Sequence, residues 1–503
     1  MSDGGERARP ARTFTEKCFL AVILTAAVLA VVWCFGGGVS GNDYWWHVKL
    51  GEWIWERGQV PATDVFSWYA SARSLSFTPH EWLSDVLFYG LHRAFGPAGI
   101  FCVSLLAAPA LIFLTVRRNI RGIFNNAALS AVFLTLFSVL TTLFFYGRPQ
   151  IFSFYLLFAE LGCLYRFIER PKSRAIFAVP LLGCLWSNLH GGSANLSYLL
   201  CLIFLACGAV RFDAGRLSAG RLEAGKLRTL AVITALTASA TLVNPTGPGI
   251  FIYPYVNVGD KFMQAVISEW AAPDAKRPGD LILYYVPAFI VIGGLIASDK
   301  KVRLIDFALL AFFTLLFLRS VRFVMFFFIA ASFFAFGYFP RWRLKEIRGR
   351  LEKAAVLMFF VLAGFGLVLG AVRIARLARG GELVSTAVSD EAVQAVREAA
   401  PRRLFNDYNF GEALIYGDVP VFFDGRADVY KAEDILKDGV SLLLLRPADG
   451  EGALDIDALL AKYGFDGFFI SRSRPLYTYL ASHPEKYRPG YSDGETAYFE
   501  AAK

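Results

Sequence analysis

Runs of apolar residues long enough to cross a bilayer recur along this 503-residue chain, and no other feature narrows its fold as much. About 20 apolar residues in a helix span the hydrocarbon core, where each backbone N–H and C=O has to be satisfied within its own segment. Eleven windows qualify: 18–37, 98–116, 127–145, 150–165, 175–189, 194–210, 229–244, 281–298, 304–318, 323–339 and 354–372. Several are short. Only Arg319, Ser320, Val321 and Arg322 separate 304–318 from 323–339, which predicts a tight helical hairpin or one broken region. With 56% hydrophobic and 18% charged residues and a mean hydropathy of +0.47, the chain is excluded from the ordinary soluble enzymes and reads as a polytopic membrane protein. The first window runs on through Phe35 and Gly36 without a small-residue cleavage site, so it reads as a span and not as a cleaved signal peptide. All seven cysteines lie in or beside apolar windows, which implies no disulfide framework.

Cations set the orientation, because short Lys/Arg-rich loops stay in the cytoplasm. With the amino terminus inside, the cytoplasmic stretches 1–17, 117–126, 166–174, 211–228, 299–303 and 340–353 carry 25 Lys and Arg in 73 residues. The opposite loops 38–97, 146–149, 190–193, 245–280 and 319–322 carry 10 in 108. The net charge of +9 is thereby a topology signal, and it gives no reason to expect nucleic acid as a partner. Eleven crossings put residues 374–503 outside, although Arg373, Arg376 and Arg379 pull against the last one.

The expected fold is therefore an all-α membrane domain of about 11 spans over 18–373, preceded by a cytoplasmic stretch at 1–17. A long exoplasmic loop occupies 38–97. Segment 374–503 differs in composition: short strand-like runs at Val419 to Phe423, Ser441 to Leu445 and Gly467 to Ile470 alternate with helical patterns at Asp390 to Ala399 and Asp455 to Tyr463. That predicts a small exoplasmic α/β domain, long enough for a core of its own.

Ionisable residues cluster on the outer side. Four of five histidines, His47, His80, His92 and His190, lie in or near outer loops, and the loop 38–97 holds six of ten tryptophans. After the first window come Asn42, Asp43, Tyr44, Trp45, Trp46 and His47; on a helix, Asp43 and His47 share a face at i, i+4. A partly desolvated acid there gains basicity and can take a proton from an attacking hydroxyl; capping a helix is the plainer role. His80 and Glu81 add a second such pair, and Asp43, His80 and Glu81 are candidate ligands for a divalent cation such as Mg or Mn, although no diagnostic spacing marks them. Arg148, with Gln150 beside it, and Arg319 and Arg322 sit at outer span ends, where an arginine either snorkels or holds an anion such as a phosphate. His190 ends a further span on the same side, and Glu269 supplies a third carboxylate in the loop 245–280. The run from Phe422 to Asp428 reads first as a turn and second as a ligand-binding edge. No standard nucleotide, metalloprotease or hydrolase motif occurs.

The stretches NDYWWHVKLGEWIWERGQVPATDVFSW, HEWLSDVLFY, GRPQIFSFYLL, WSNLHGG, NPTGPGIFIYP, SEWAAPD and VFFDGRADVY resemble a group of bacterial polytopic membrane proteins, which in turn is similar to the GT-C superfamily of membrane glycosyltransferases. That resemblance implies a multi-helix membrane core in the bacterial inner membrane, an acid in the first exoplasmic loop as base or ion ligand, and a polyprenyl-phosphate-type sugar donor. Carried onto this chain, the acid is Asp43, tuned by His47, His80 or Glu81 as catalytic partners. Arg148, Gln150, His190, Glu269, Arg319 and Arg322 would bind substrate, with Trp45 and Trp46 stacking on sugar. The superfamily's frequent paired-acid motif is absent here, because Asn42 and Tyr44 flank Asp43. The partners so implied are a lipid-linked sugar donor, a cell-envelope acceptor and membrane lipids. The competing expectation is a non-catalytic carrier or assembly factor for an envelope lipid or polysaccharide, using the same arginines to grip a headgroup.

Overall fold

A computed structural model describes residues 39–40, 43–123, 126–145, 147–170, 172–258, 260–340, 384–385, 388–450 and 452–502. The expected spans 18–37 and 354–372, the stretch 1–17 and the arginines near 376 lie outside the described residues.

Loop 38–97 is largely helical. Helix α1, Asp43–Arg57, opens with an acid in its first turn and ends on Arg57, both favourable to the helix dipole. It buries Trp46, Leu50 and Ile54, and packs against α2, Trp82–Phe95. Gly51 makes that contact possible, since a Cβ there would overlap the backbone carbonyl of Asp85.

The bundle follows with α3 (Pro97–Ile123), α4 (Ala127–Phe144), α5 (Gln150–Glu169), α6 (Val179–Leu189), α7 (Asn195–Ala209), α8 (Ala224–Thr241), α9 (Val286–Ala297), α10 (Leu304–Arg319) and α11 (Val324–Ser332). All nine windows that fall on described residues lie on helix. The helical stretches Pro97–Ile123, Gln150–Glu169, Gly191–Ala209 and Pro278–Ala297 are long and apolar enough to cross a membrane; others are shorter. Every residue of α11 is buried, as expected of a helix apolar on all sides that sits in the middle of a bundle. Its Phe328 stacks on Phe137, and Phe326 meets Phe154 edge-on. The chain turns back at Ser320, so 304–318 and 323–339 do pack as neighbours.

Because the helices alternate in direction, the loops at 147–149, 190–193, 267–271 and 320–323 gather at one end with α1 and α2. The basic loops gather at the other end, where Arg303 pairs with Asp306 and Glu169.

Residues 388–502 carry a four-stranded sheet: β1 (Leu404–Asn406), β2 (Gly467–Ser471), β3 (Tyr487–Ser492) and β4 (Thr496–Ala501), in the order β1-β2-β4-β3. Strands β1 and β2 are parallel and the other pairs antiparallel. Helices α12 (Asp390–Ala399), α13 (Gly411–Tyr416), α14 (Ile435–Leu444), α15 (Ile456–Tyr463) and α16 (Pro475–Ala481) accompany it.

Two expected strands are not strands. Ser441 to Leu444 belong to α14, whose buried Ile435, Leu436, Val440 and Leu443 follow a helical repeat that a short apolar run conceals. Val419 to Phe423 forms a single bridge, Val421 to Ser67. Nor is the core of this region its own. Trp46, Leu50, Ile54, Tyr69 and Phe77 of the first loop are packed into it, and burying such a side chain contributes about 1.5–3 kcal/mol. The seam is also stitched by polar groups. Ser67 Oγ donates to Phe422 O (2.8 Å), Trp68 Nε1 to Leu404 O (2.9 Å), and Arg426 spans Asp64 (2.5 Å) and Asp424 (2.6 Å) with all three buried.

Candidate active site

Helix α1, the loop before α2, three span ends and the C-terminal region enclose a cavity of about 910 Å³. Of the residues singled out in the sequence, Asp43, Trp46, His47, His80, Glu81, Arg148, Gln150, His190, Glu269 and Arg322 line it. The first turns of α1 put Asp43, Trp46 and His47 on its cavity side, by i, i+3 and i, i+4 spacing.

One wall alternates acids and arginines. Asp43 Oδ2 pairs with Arg148 Nε (2.8 Å), and Arg148 Nη1 donates to Glu269 Oε1 (2.5 Å). Glu269 Oε2 lies 3.9 Å from Arg322 Nε, and the Arg322 guanidinium sits over Trp270. Backbone bonds fix the two tips to each other: Ser320 Oγ donates to Glu269 O, and Val321 N to Ala271 O. Burial works against ionising Glu269, but Arg148 and Arg322 outweigh it and hold the carboxyl below its usual range. For Asp43 the balance reverses, and burial raises its pKa despite Arg148.

The facing wall is built on Glu81. His190 Nε2 is 3.2 Å from Glu81 Oε1, His80 Nε2 is 3.7 Å from it, and His47 Nε2 is 3.8 Å from Oε2. Each imidazole is held from behind. His47 Nδ1 contacts Asp85 Oδ1 (2.6 Å), His80 Nδ1 the Thr78 carbonyl (3.1 Å), and His190 Nδ1 the Ser153 hydroxyl (2.6 Å). Trp186 Nε1 donates to Ser153 Oγ at 2.7 Å, and Ser193 Oγ lies 2.9 Å from Ser153 Oγ and 2.8 Å from His190 Nδ1, so two hydroxyls hold the back of the His190 ring. Burial pushes His47 and His190 well below the ordinary imidazole value and raises Glu81 and Asp85, so desolvation works against charge on all four groups.

The C-terminal region supplies the third side, and none of its cavity residues was singled out individually. Asp428 accepts from Tyr253 OH (3.0 Å); Glu412 accepts from the Gly425 amide (2.8 Å); Arg474 binds Asp407 through two nitrogens (2.6 and 2.9 Å). At Gly425 a Cβ would come within 2.5 Å of Glu412 Oε1 and 3.0 Å of Asp43 Oδ1, so any side chain there would push these two carboxyls aside. Only the weak ligand-edge reading of Phe422 to Asp428 pointed here, and a separation of some 380 residues from Asp43 hid the rest.

Two expected cavity residues lie elsewhere. Trp45 does not line the cavity; it packs on Tyr416 (4.4 Å between rings) beside Tyr44, because α1 turns that position away from Asp43. Arg319 is exposed at the C-terminus of α10, where its charge faces the helix dipole, and stays outside the cavity. The candidate cation ligands are divided between the walls, Asp43 paired with Arg148 on one and Glu81 with the imidazoles of His80 and His190 on the other. Among the described residues no group of three or more His, Cys, Asp or Glu is placed to hold a metal ion.

No protein-family model matches the chain, and no curated protein does so in sequence. Among solved structures, the crystal structure of ArnT from Cupriavidus metallidurans bound to undecaprenyl phosphate is similar over 97% of this chain and 98% of that one, at 15% identity and a TM-score of 0.49.

Proposed function

We propose that this chain is an integral membrane glycosyltransferase that moves a sugar from a polyprenyl-phosphate-type donor to a hydroxyl of a cell-envelope acceptor, at the outer face of a bacterial inner membrane. The observation that carries the reading is the acid beside the arginine ladder, Asp43, Arg148, Glu269 and Arg322, on one wall of a single large cavity. It agrees with the motif resemblance to the GT-C superfamily.

A donor phosphate entering the cavity competes with Asp43 and Glu269 for Arg148 and Arg322, whose guanidinium forks suit phosphate oxygens. That exchange releases the Asp43 carboxylate, whose raised basicity suits it to accept a proton. The acceptor oxygen then forms its bond to the anomeric carbon while its proton passes to Asp43. The bond from that carbon to the phosphate oxygen breaks, and the electron pair leaves with the polyprenyl phosphate. Charge grows on the departing phosphate, where fixed arginines lower the barrier. Glu81 and its histidines serve as a reservoir able to pass a proton along Glu81, His190 and Ser153.

Asp43→Asn tests the reading. Transfer from undecaprenyl-phosphate sugars, assayed with the purified protein in nanodiscs, should fall by about 10²–10⁴ while undecaprenyl phosphate still binds. Unchanged transport or assembly with no transfer in either protein would favour the carrier instead.

A further inference from the structure

Glu412 belongs to neither wall, yet it lines the cavity with only 2% of its surface exposed. Its Oε1 accepts the Gly425 amide, and its Oε2 is buried with no protein partner. A buried carboxyl oxygen left without a hydrogen bond is rare, because it has lost water and gained nothing in return. Trp46, one turn after Asp43, is in the same condition: it is 8% exposed, lines the cavity, and its Nε1–H has no protein acceptor. Asp43 Oδ1 and Glu412 Oε1 both lie within 3.0 Å of the point where a Gly425 side chain would begin. The two carboxyls therefore stand side by side, with space kept open between first loop and C-terminal region.

We infer that Glu412 and Trp46 form a hydroxyl-reading subsite for the acceptor, which presents two adjacent hydroxyls, one to Asp43 and its neighbour to Glu412 Oε2. Trp46 Nε1–H donates to an oxygen of the same group. The ligand class is a vicinal diol, as on a sugar ring or polyol, and the inference rests on the assignment of Asp43 as the acceptor's base. Glu412 has no arginine at its free oxygen, whereas Arg148 and Arg322 stand on the ladder wall, so donor and acceptor are sorted by partner: anion at Arg148 and Arg322, polyol at Glu412. Burial beside Asp43 and Asp424 pushes the Glu412 carboxyl up to about 8, so it can donate as well as accept near neutral pH.

The test measures binding of methyl glucoside, galactoside, mannoside and arabinoside, each with its single-deoxy analogues, to the full-length protein in nanodiscs by ligand-observed NMR. At least one parent glycoside should bind about tenfold better than a deoxy analogue lacking one of two adjacent hydroxyls. Glu412→Ala should erase that ratio, and Glu412→Gln, which keeps a donor and an acceptor, should retain it. Glu412→Met, of similar length, takes the place of the alanine variant if the latter melts early. A wild type indifferent to every deoxy substitution, or a folded Glu412→Ala or Glu412→Met that keeps the ratio, overturns the inference. Undecaprenyl phosphate binding, followed separately by native mass spectrometry, distinguishes the failures: its loss in the wild type sinks the transferase reading, whereas its presence without diol preference sinks only the subsite.

Discussion

The two walls of the cavity both centre on partly buried carboxylates, yet they shift them in opposite directions. Glu269 is kept ionised by Arg148 and Arg322, while Glu81, ringed by His47, His80 and His190, is pushed toward its neutral form. Desolvation acts on both. The difference lies in the partner, because a guanidinium cannot give up its proton, whereas a buried imidazole sheds its charge at little cost. One wall is thus a fixed grip for an anion and the other a set of groups able to exchange protons.

That contrast can be broken by experiment. Arg148→Gln should be the most damaging change, since it takes from Asp43 its paired cation and leaves Glu269 with Arg322 alone. We expect a loss approaching 3 kcal/mol in detergent-solubilised stability and weaker undecaprenyl phosphate binding, and a variant melting with the wild type would mean the ladder is not a charge grip. Acidification should strike the opposite wall. Because the folded-state values of His47 and His190 lie below 6.5, the unfolded chain binds more protons in the window beneath that pH. The contribution of these two histidines is then lost as pH falls through 6.5, against the opposite contribution of Glu81 and Asp85, whose values are raised. His190→Gln should lose less melting temperature between pH 7.5 and 6 than the wild type, and an equal loss would show that the imidazoles are charged throughout. Glu81→Gln, an isosteric change at a group already biased toward neutrality, should cost under about 1 kcal/mol; a cost matching that of Arg148→Gln erases the distinction between the walls. Smallest of all, Trp45→Phe should leave the KM for a lipid-linked donor unchanged, whereas a rise would return Trp45 to the substrate.

Some of this was legible beforehand for definite reasons. Helix α1 has a 3.6-residue repeat, so Asp43, Trp46 and His47 could be placed on one face and Trp45, one position before Trp46, turned away only once the partner of that face was known. Arg148 and Arg322 stood out because arginine at a span end needs an anion or a headgroup, while Arg319, of the same type and three positions before Arg322, proved to be plain helix termination. Glu412 gave no local sign, and Asp428 only the second, ligand-edge reading of the turn at Phe422 to Asp428. They lie in a region whose short apolar runs misread α14 as a strand, and their relevance depends on a seam with residues far away in the chain.

Hydrophobic patterning by itself decided that the chain forms helices suited to a membrane, and that loops poor in cations carry its histidines, tryptophans and site arginines. Periodicity and desolvation act locally, so a linear reading captures them. Which carboxylate meets which cation, that the C-terminal region borrows its core from α1, and that Glu412 stands beside Asp43 were settled by tertiary packing alone. Charge states in a desolvated cavity depend on groups within a few ångströms in space, and those neighbours come from segments the sequence keeps hundreds of residues apart.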